Sequence, residues 1–521
     1  MELLEVVFGV AMGALVVYQV LSKWNEVWYR ITNKSLPLPP GTMGWPLIGE
    51  SISFWKRGPD FVAARRRRFG NIFKTHLFGG PIVVCTDSDV NKYVLASESK
   101  GILPGYPRTF SEMTGKWNTF SLYGSEHKAM RGALISLMSA SVLKERLLPK
   151  IDEFMQSYLS NWSDKILDFQ KKSNEEDMPV ANATKRFHLH VGHERLLPKI
   201  DEFMQSYLSN WSDKILDFQK KSNEVVMLLV LKLVASTEGN IALTKELEEA
   251  MHQVSLSFFT VAINLPGTTY NKGLKARRKL VQMLGKLVEE RRASKCSRSN
   301  DILDTILKNS EDTNCVIQTD EQIIDQIIAF VLSGYETASI VLMMAVKYLH
   351  DHPLAQDELR KENLEIRKGK PENYTLNWDD YRSMAFTRSV VLEALRMASI
   401  GLGFLRRTTV DTEIKGYVIP KGWTVFVSTV ETNKDPDTYP EPLKFNPWRW
   451  LKSNLESHQY FMLFGGGARL CIGKELGILE ISIFLHYLVT RYRWEEIGEN
   501  KIVRFPRVEA PNGLYYRLRD C

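Results

Sequence analysis

The sequence predicts a mainly α-helical protein with small β-sheets, preceded by a single N-terminal transmembrane helix. Three observations carry that prediction. Leu3–Leu21 (LLEVVFGVAMGALVVYQVL) holds only Glu5 and Gln19 as strongly polar residues. At ~1.5 Å per helical residue this run nearly spans a ~30 Å hydrocarbon core. Asp320–His350 is a second long apolar helix signal, ended by Pro353, and a helix apolar on nearly all sides belongs in a core. Two pairs of strand-like runs read as hairpins: Ile72–His76 with Pro81–Cys85 around Gly79-Gly80, and Tyr417–Pro420 with Thr424–Ser428 around Lys421-Gly422.

Residues 1–24 form the expected anchor. No small-x-small cleavage site precedes the polar flank, and the apolar run is long for a signal peptide. Glu2 and Glu5 lie before the span, with Lys23, Arg30 and Lys34 after it, so the positive flank predicts a cytosolic body. Residues 25–46 read as a Pro-rich linker, stiffened by Leu36-Pro37-Leu38-Pro39-Pro40-Gly41. Residues 47–521 show no internal linker and read as one large domain. Hydrophobic residues make up 44% and charged residues 25%, which excludes a disordered or fibrous chain. The net charge of +7 does not point to nucleic acid. Five cysteines without a CxxC pair exclude a disulfide scaffold and argue against structural zinc.

One stretch is abnormal. Residues 145–175 (ERLLPKIDEFMQSYLSNWSDKILDFQKKSNE) recur letter for letter at 194–224, an offset of 49. Structural repeats usually diverge and come in threes or more. This pair instead reads as a recent duplication or a faulty coding-sequence assembly, with about 176–224 inserted. Each copy carries an amphipathic stripe, Leu147–Trp162 and Leu196–Trp211, followed by a short strand such as Ile166–Gln170. A core built for one such helix cannot bury two, so one copy is expected to expose an apolar face. His188, His190 and His193 lie in the insert, and no carboxylate pattern makes them a metal site.

The most informative segment is FGGGARLCIGKE, Phe464–Glu475. Its four glycines permit close backbone approach to a flat ligand around Cys471. A helix-like run, Leu476–Val489, begins just beyond. Amides at a helix start are expected to lower the Cys471 pKa. Arg469 is placed to meet an anionic group. Glu393 and Arg396 fall on one helix face in EALR, and Arg449 follows in FNPWR. Two guanidiniums around one carboxylate can form a buried, bidentate cluster. Ser333-Gly334-Tyr335-Glu336-Thr337 interrupts the long apolar helix with an acid and an alcohol, where a Thr hydroxyl can divert a backbone carbonyl. His127 and Arg131 sit four apart in HKAMR. Arg65–Arg68 reads as a solvated helix face, or as a contact for anionic headgroups or an acidic electron donor.

FGGGARLCIG resembles the haem-binding loop of the cytochromes P-450, with EALR, FNPWRW and SGYETAS in the family's order. The resemblance implies a haem-thiolate fold with haem b on Cys471. It implies cofactor contacts from His127, Arg131, Arg406, Phe464, Gly467, Arg469 and Gly473, and a structural triad of Glu393, Arg396 and Arg449. Glu336 and Thr337 match the acid–alcohol pair that manages protons for O2. Electrons are implied to come from NADPH through a cytochrome P-450 reductase at the endoplasmic reticulum membrane, with membrane lipid as the second partner. Met113–Phe120, Ala329, Leu332, Gly401–Phe404 and Gly513–Leu514 are implied as pocket walls. LPPGTMGWPLIGE, LLPKIDEFMQSYL, MMAVKYLHDHP and YFMLFGGGARLCIGKELG are similar to plant brassinosteroid C-6 oxidases, from about residue 28 to the C-terminus without the insert. That likeness implies successive oxidation of a small apolar 6-deoxo steroid at C-6, ending in a ketone. Alternatives are another sterol, triterpenoid or diterpenoid, a reductase-independent isomerase or dehydratase, or a non-functional product of a duplicated exon. MASIGLGF (Met397–Phe404) departs from that family's wording.

Overall fold

Why the chain folds around one helix follows from its buried surface. In this computed structural model, residues 2–33, 36–137, 214–235, 241–293, 301–310, 317, 319–371, 374 and 376–521 are described. In chain order the helices are α1 Glu2–Thr32, α2 Ser51–Arg57, α3 Pro59–Phe69, α4 Ser88–Ala96, α5 Arg108–Thr114, α6 Gly124–Leu137, α7 Phe218–Ala235, α8 Ile241–Leu256 and α9 Thr269–Ala293. They continue as α10 Ile302–Ser310, α11 Asp320–Asp351, α12 Pro353–Arg367, α13 Trp378–Ser383, α14 Ala385–Ala398, α15 Thr429–Asn433, α16 Trp448–Lys452 and α17 Lys474–Arg491. Helix α11 starts at a Thr319–Gln322 capping box and stops before Pro353, as the sequence predicts. Isoleucine, leucine, valine and methionine on nearly every face bury it against α7, α14 and α17. Gly334 permits the closest approach, because a Cβ there would lie 3.1 Å from Val230 of α7.

A five-stranded sheet caps one side in the order β1-β2-β8-β5-β3, from β1 Ile72–Leu77, β2 Gly80–Cys85, β3 Ile102–Pro104, β5 Gly403–Thr408 and β8 Thr424–Ser428. The β1–β2 hairpin forms as expected. The second expected hairpin does not. β7 Tyr417–Ile419 pairs with β6 Thr412–Ile414 across Lys415-Gly416, both at positive φ. β8 lies parallel to β2 and antiparallel to β5 instead. Its Val425, Phe426 and Val427 are all buried, so this strand needs a neighbour on each edge.

A three-stranded sheet joins β4 Ile215–Asp217, β10 Tyr515–Asp520 and β9 Tyr492–Glu496, with β10 central. β4 comes from the second copy of the repeat, and the next residue, Phe218, is buried against Tyr516. The first copy, both apolar stripes and His188, His190 and His193 lie outside the described residues.

At the N-terminus, α1 continues eight residues beyond the expected 24/25 boundary. The following segment docks rather than hanging free: Lys74 N donates to Pro40 O at 2.8 Å and Val418 N to Pro37 O at 2.9 Å, and Met43 is buried. Among the described residues, the one helix long and apolar enough to cross a membrane is α11, which is mostly buried in the core. The N-terminal span therefore rests on the sequence pattern alone. The arginine run is also divided. Arg65 pairs with Glu50, and Arg66 contacts Glu431 at 3.0 Å.

Glu393, buried on α14, is the knot between helices and the segment leading to Cys471. Arg396 donates to both its oxygens, at 2.9 and 2.8 Å, and Arg449 Nε donates at 3.1 Å. Trp450 Nε1 and the Asn446 amide complete the shell at 2.9 and 3.0 Å. The guanidiniums then bind the carbonyls of Asn433, Pro442 and Pro440. Glu393→Ala leaves two buried cations without their anion, so thermal unfolding should show a loss of roughly 3–5 kcal/mol. A loss below about 1 kcal/mol, the surface-pair range, would contradict this assignment.

Glu480 of α17 is buried among Val225, Val226, Leu229, Leu342 and Phe484, and its Oε1 has no hydrogen-bond partner among the described residues. Burial pushes its pKa up to about 8 from 4.5. The folded state thus holds a proton that the unfolded state releases above about pH 4.5. This stability is fully present below that pH and is lost as pH rises toward 8. Glu480→Gln should match the parent near pH 4.5 and exceed it by roughly 2–4 kcal/mol at pH 8 in denaturant titrations. A gap that does not change with pH would refute the buried, protonated carboxyl.

Candidate functional site: the Cys471 cleft

Cys471 lies deep in the molecule yet is open to solvent, which places it in a cleft rather than on the outer surface. Its amide donates to Phe464 O at 2.9 Å, closing the loop, and the Gly473 amide points at its sulfur. The expected lowering of its pKa is overturned. Burial raises it and outweighs the Gly473 amide and the Arg131 and Lys474 charges, which act the other way. Burial thus favours the thiol, and coordination to a bound cation would act the other way.

The glycines also have a different first reason. Gly467 has φ +63°, and a Cβ there would lie 2.3 Å from Leu95 O, so it lets the loop sit on the backbone of α4. Gly473 has open space around it and ordinary φ, at the start of α17. Phe464 packs on Phe461 with ring centres 6.2 Å apart, below the Lys474 ammonium.

On α11, Ser333 and Thr337 are exposed one turn apart in the middle of a mostly buried helix. Thr337 Oγ1 donates to Ser333 O at 2.7 Å, the expected diversion of a carbonyl, while the helix stays unbroken. Glu336 turns toward Arg507, with Oε1 3.6 Å from Nη1, and Arg507 reaches His252 Nδ1 at 3.3 Å. Burial and Arg507 lower the His252 pKa. Of the expected pocket walls, Trp117 is fixed to α11 through Asp325 and Gln326, Leu402 and Gly401 bind Thr429, and Phe404 packs near Gly465.

The structure brings His127, Arg131, Arg406 and Arg469 into one neighbourhood, together with Glu98, which sequence reasoning missed. Burial, with Arg469 next, pushes the His127 pKa down to about 4, so this imidazole is neutral at pH 7. Arg406 is buried, and burial lowers its pKa. Arg131 makes no hydrogen bond to any other described residue. Arg469 departs from expectation: both Glu98 oxygens and the Thr119 and Leu122 carbonyls take its donors. Glu98 lies 371 residues away in sequence, and no local pattern marks it. Trp450, the other omission, adjoins Arg449 and was within reach of the FNPWRW motif.

Three guanidiniums and one carboxylate leave an excess of two positive charges among the described residues. A haem carries two propionates and takes a thiolate, so these residues fit that group in charge and in donor type. Arg131, Arg406 and His127 are the side chains that would face its acids.

The family model for "Cytochrome P450" matches residues 197–510, beginning inside the second repeat copy. Cytochrome P450 85A1 of Oryza sativa subsp. japonica is 46% identical over 515 residues, covering 98% of each chain. Its Arabidopsis thaliana namesake is 41% identical over 521 residues, covering 99% of each. The 3-epi-6-deoxocathasterone 23-monooxygenase CYP90C1 of Arabidopsis thaliana is 33% identical, covering 92% of this chain and 84% of that one. Among solved structures, retinoic acid-bound cyanobacterial CYP120A1 superposes with a TM-score of 0.75 and 25% identity, over 94% of this chain and all of that one. The glycine-rich loop around an accessible cysteine, with these matches over nearly the whole chain, leads to one conclusion: the chain belongs to the cytochrome P450 family.

Proposed function

We propose that this P450 monooxygenase oxidises a 6-deoxo brassinosteroid at C-6 to the 6-ketone. The observation that carries the reading is the full-length likeness to the 85A proteins, joined to an exposed Cys471 in its glycine-rich loop and an exposed Thr337 on α11. When bound, haem supplies oxygen activation with electrons from NADPH through a reductase. The chain's residues do the rest. Cys471 Sγ would be the iron ligand, and Arg131, Arg406 and His127 would hold and orient the cofactor's acids. Thr337 and Glu336 hold and pass protons at Oγ1 and the carboxylate. Glu336, Arg507 and His252 extend from α11 toward partly exposed surface, which supports a proton supply on that side. Apolar walls and α11 exclude bulk water from the steroid.

We also read the chain as a single-pass protein of the endoplasmic reticulum membrane with a cytosolic catalytic body. The apolar run in α1 supports this, as does one exposed patch formed by Leu47, Ile52, Trp55, Phe78, Phe259 and Val261. Phe78 and Phe259 join two parts of that patch, with ring centres 6.3 Å apart. Membrane lipid covers it in this reading and delivers an apolar substrate.

Purified protein with reductase and NADPH should convert a 6-deoxo steroid first to a 6-hydroxyl product and then to the ketone, followed by mass spectrometry. Thr337→Ala should lower product formed per NADPH consumed by about tenfold or more. Turnover of other sterols or terpenoids alone would replace the substrate assignment. Turnover without NADPH would support an isomerase instead.

A further inference from the structure

We propose that Glu98 is a positioning residue that clamps the cofactor loop to the substrate-pocket wall through Arg469. The inference rests on the reading of Cys471 as the haem ligand. Glu98 opens the short turn that follows α4, and both its oxygens accept from Arg469, at 2.8 Å from Nε and 2.6 Å from Nη2. Both side chains are nearly nine-tenths buried, so this is a desolvated, bidentate pair rather than a surface one. The remaining Arg469 donors go to Thr119 O and Leu122 O. These carbonyls belong to the segment between α5 and α6, whose Trp117 is tied to Asp325 and Gln326 of α11. That segment also leads directly into α6, which carries His127 and Arg131.

One guanidinium therefore joins three pieces of chain that converge on Cys471. The loop touches α4 and its turn twice, at Gly467 against Leu95 O and at Arg469 against Glu98. Glu98 also sets the local charge. With it, the three arginines leave an excess of two positive charges. Its removal raises the excess to three, which two cofactor acids cannot match. A glutamine in its place turns one acceptor into a donor aimed at the guanidinium.

The test uses purified full-length holoprotein and compares the parent with Glu98→Gln and Glu98→Asp. Two quantities are read: haem transfer to excess apomyoglobin, and hydrogen exchange of the 115–123 amides. Glu98→Gln should transfer haem about tenfold faster and exchange faster in 115–123, while the core of α11 keeps its protection. Glu98→Asp keeps the charge but shortens the reach, and should fall between. If the glutamine variant does not fold, the aspartate variant is judged by the same two criteria. Parent-like transfer and exchange would overturn the clamp and leave the Cys471 reading standing. Loss of protection throughout α11 would replace the clamp with general destabilisation. A parent that carries no haem would remove the Cys471 reading and the clamp together.

Discussion

Gathering three guanidiniums, one buried and two partly buried, beside one carboxylate is costly unless an anion joins them, and that constraint organises the region around Cys471. Arg469 is satisfied internally by Glu98 and two carbonyls. Arg131 and Arg406 are not paired in that way, and His127 is held neutral by its surroundings. The fold thus keeps two positive charges in reserve beside an accessible thiol. It does so on separate elements, α6, β5 and the loop before α17, so each must be placed by its own packing.

Two devices place them. Helix α11 supplies a continuous buried surface on which α7, α14 and α17 settle, with Ser333 and Thr337 left exposed. Glu393 then holds Arg396 and Arg449, which donate to carbonyls of the irregular chain between α15 and α16 and of Asn433 at the end of α15. That segment runs straight into the Cys471 loop. Stability and site geometry therefore depend on the same buried carboxylate.

Much of this was legible in the sequence, for physical reasons that differ by element. The long helix announced itself by apolar residues on nearly every face and by Pro353 at its end, while its Thr319 cap was read only from the structure. EALR and FNPWR supplied matching donor and acceptor types for the Glu393 cluster, and the family resemblance assigned the triad. Strand pairing was less legible. Gly422 marked a turn correctly, but a turn does not say which strand comes next to which, and β8 took β2 and β5 as neighbours. The Cys471 pKa was misjudged because the amide effect is local and visible in sequence, whereas burial is not. Glu98 and Arg507 were invisible for the same reason: the partners that place them lie hundreds of residues away in sequence. The duplicated copy was legible as an anomaly, and the second copy's strand fills the slot beside β10.

The central claim is that Cys471 presents a thiolate to haem iron in this chain. The most direct measurement is the carbon monoxide difference spectrum of the reduced protein, taken on the 521-residue chain and on its Cys471→Ser variant. The account predicts a band at about 450 nm from the chain and none from the variant. No such band from the chain, nor from a version lacking residues 176–224, or the same band from the serine variant, would contradict it.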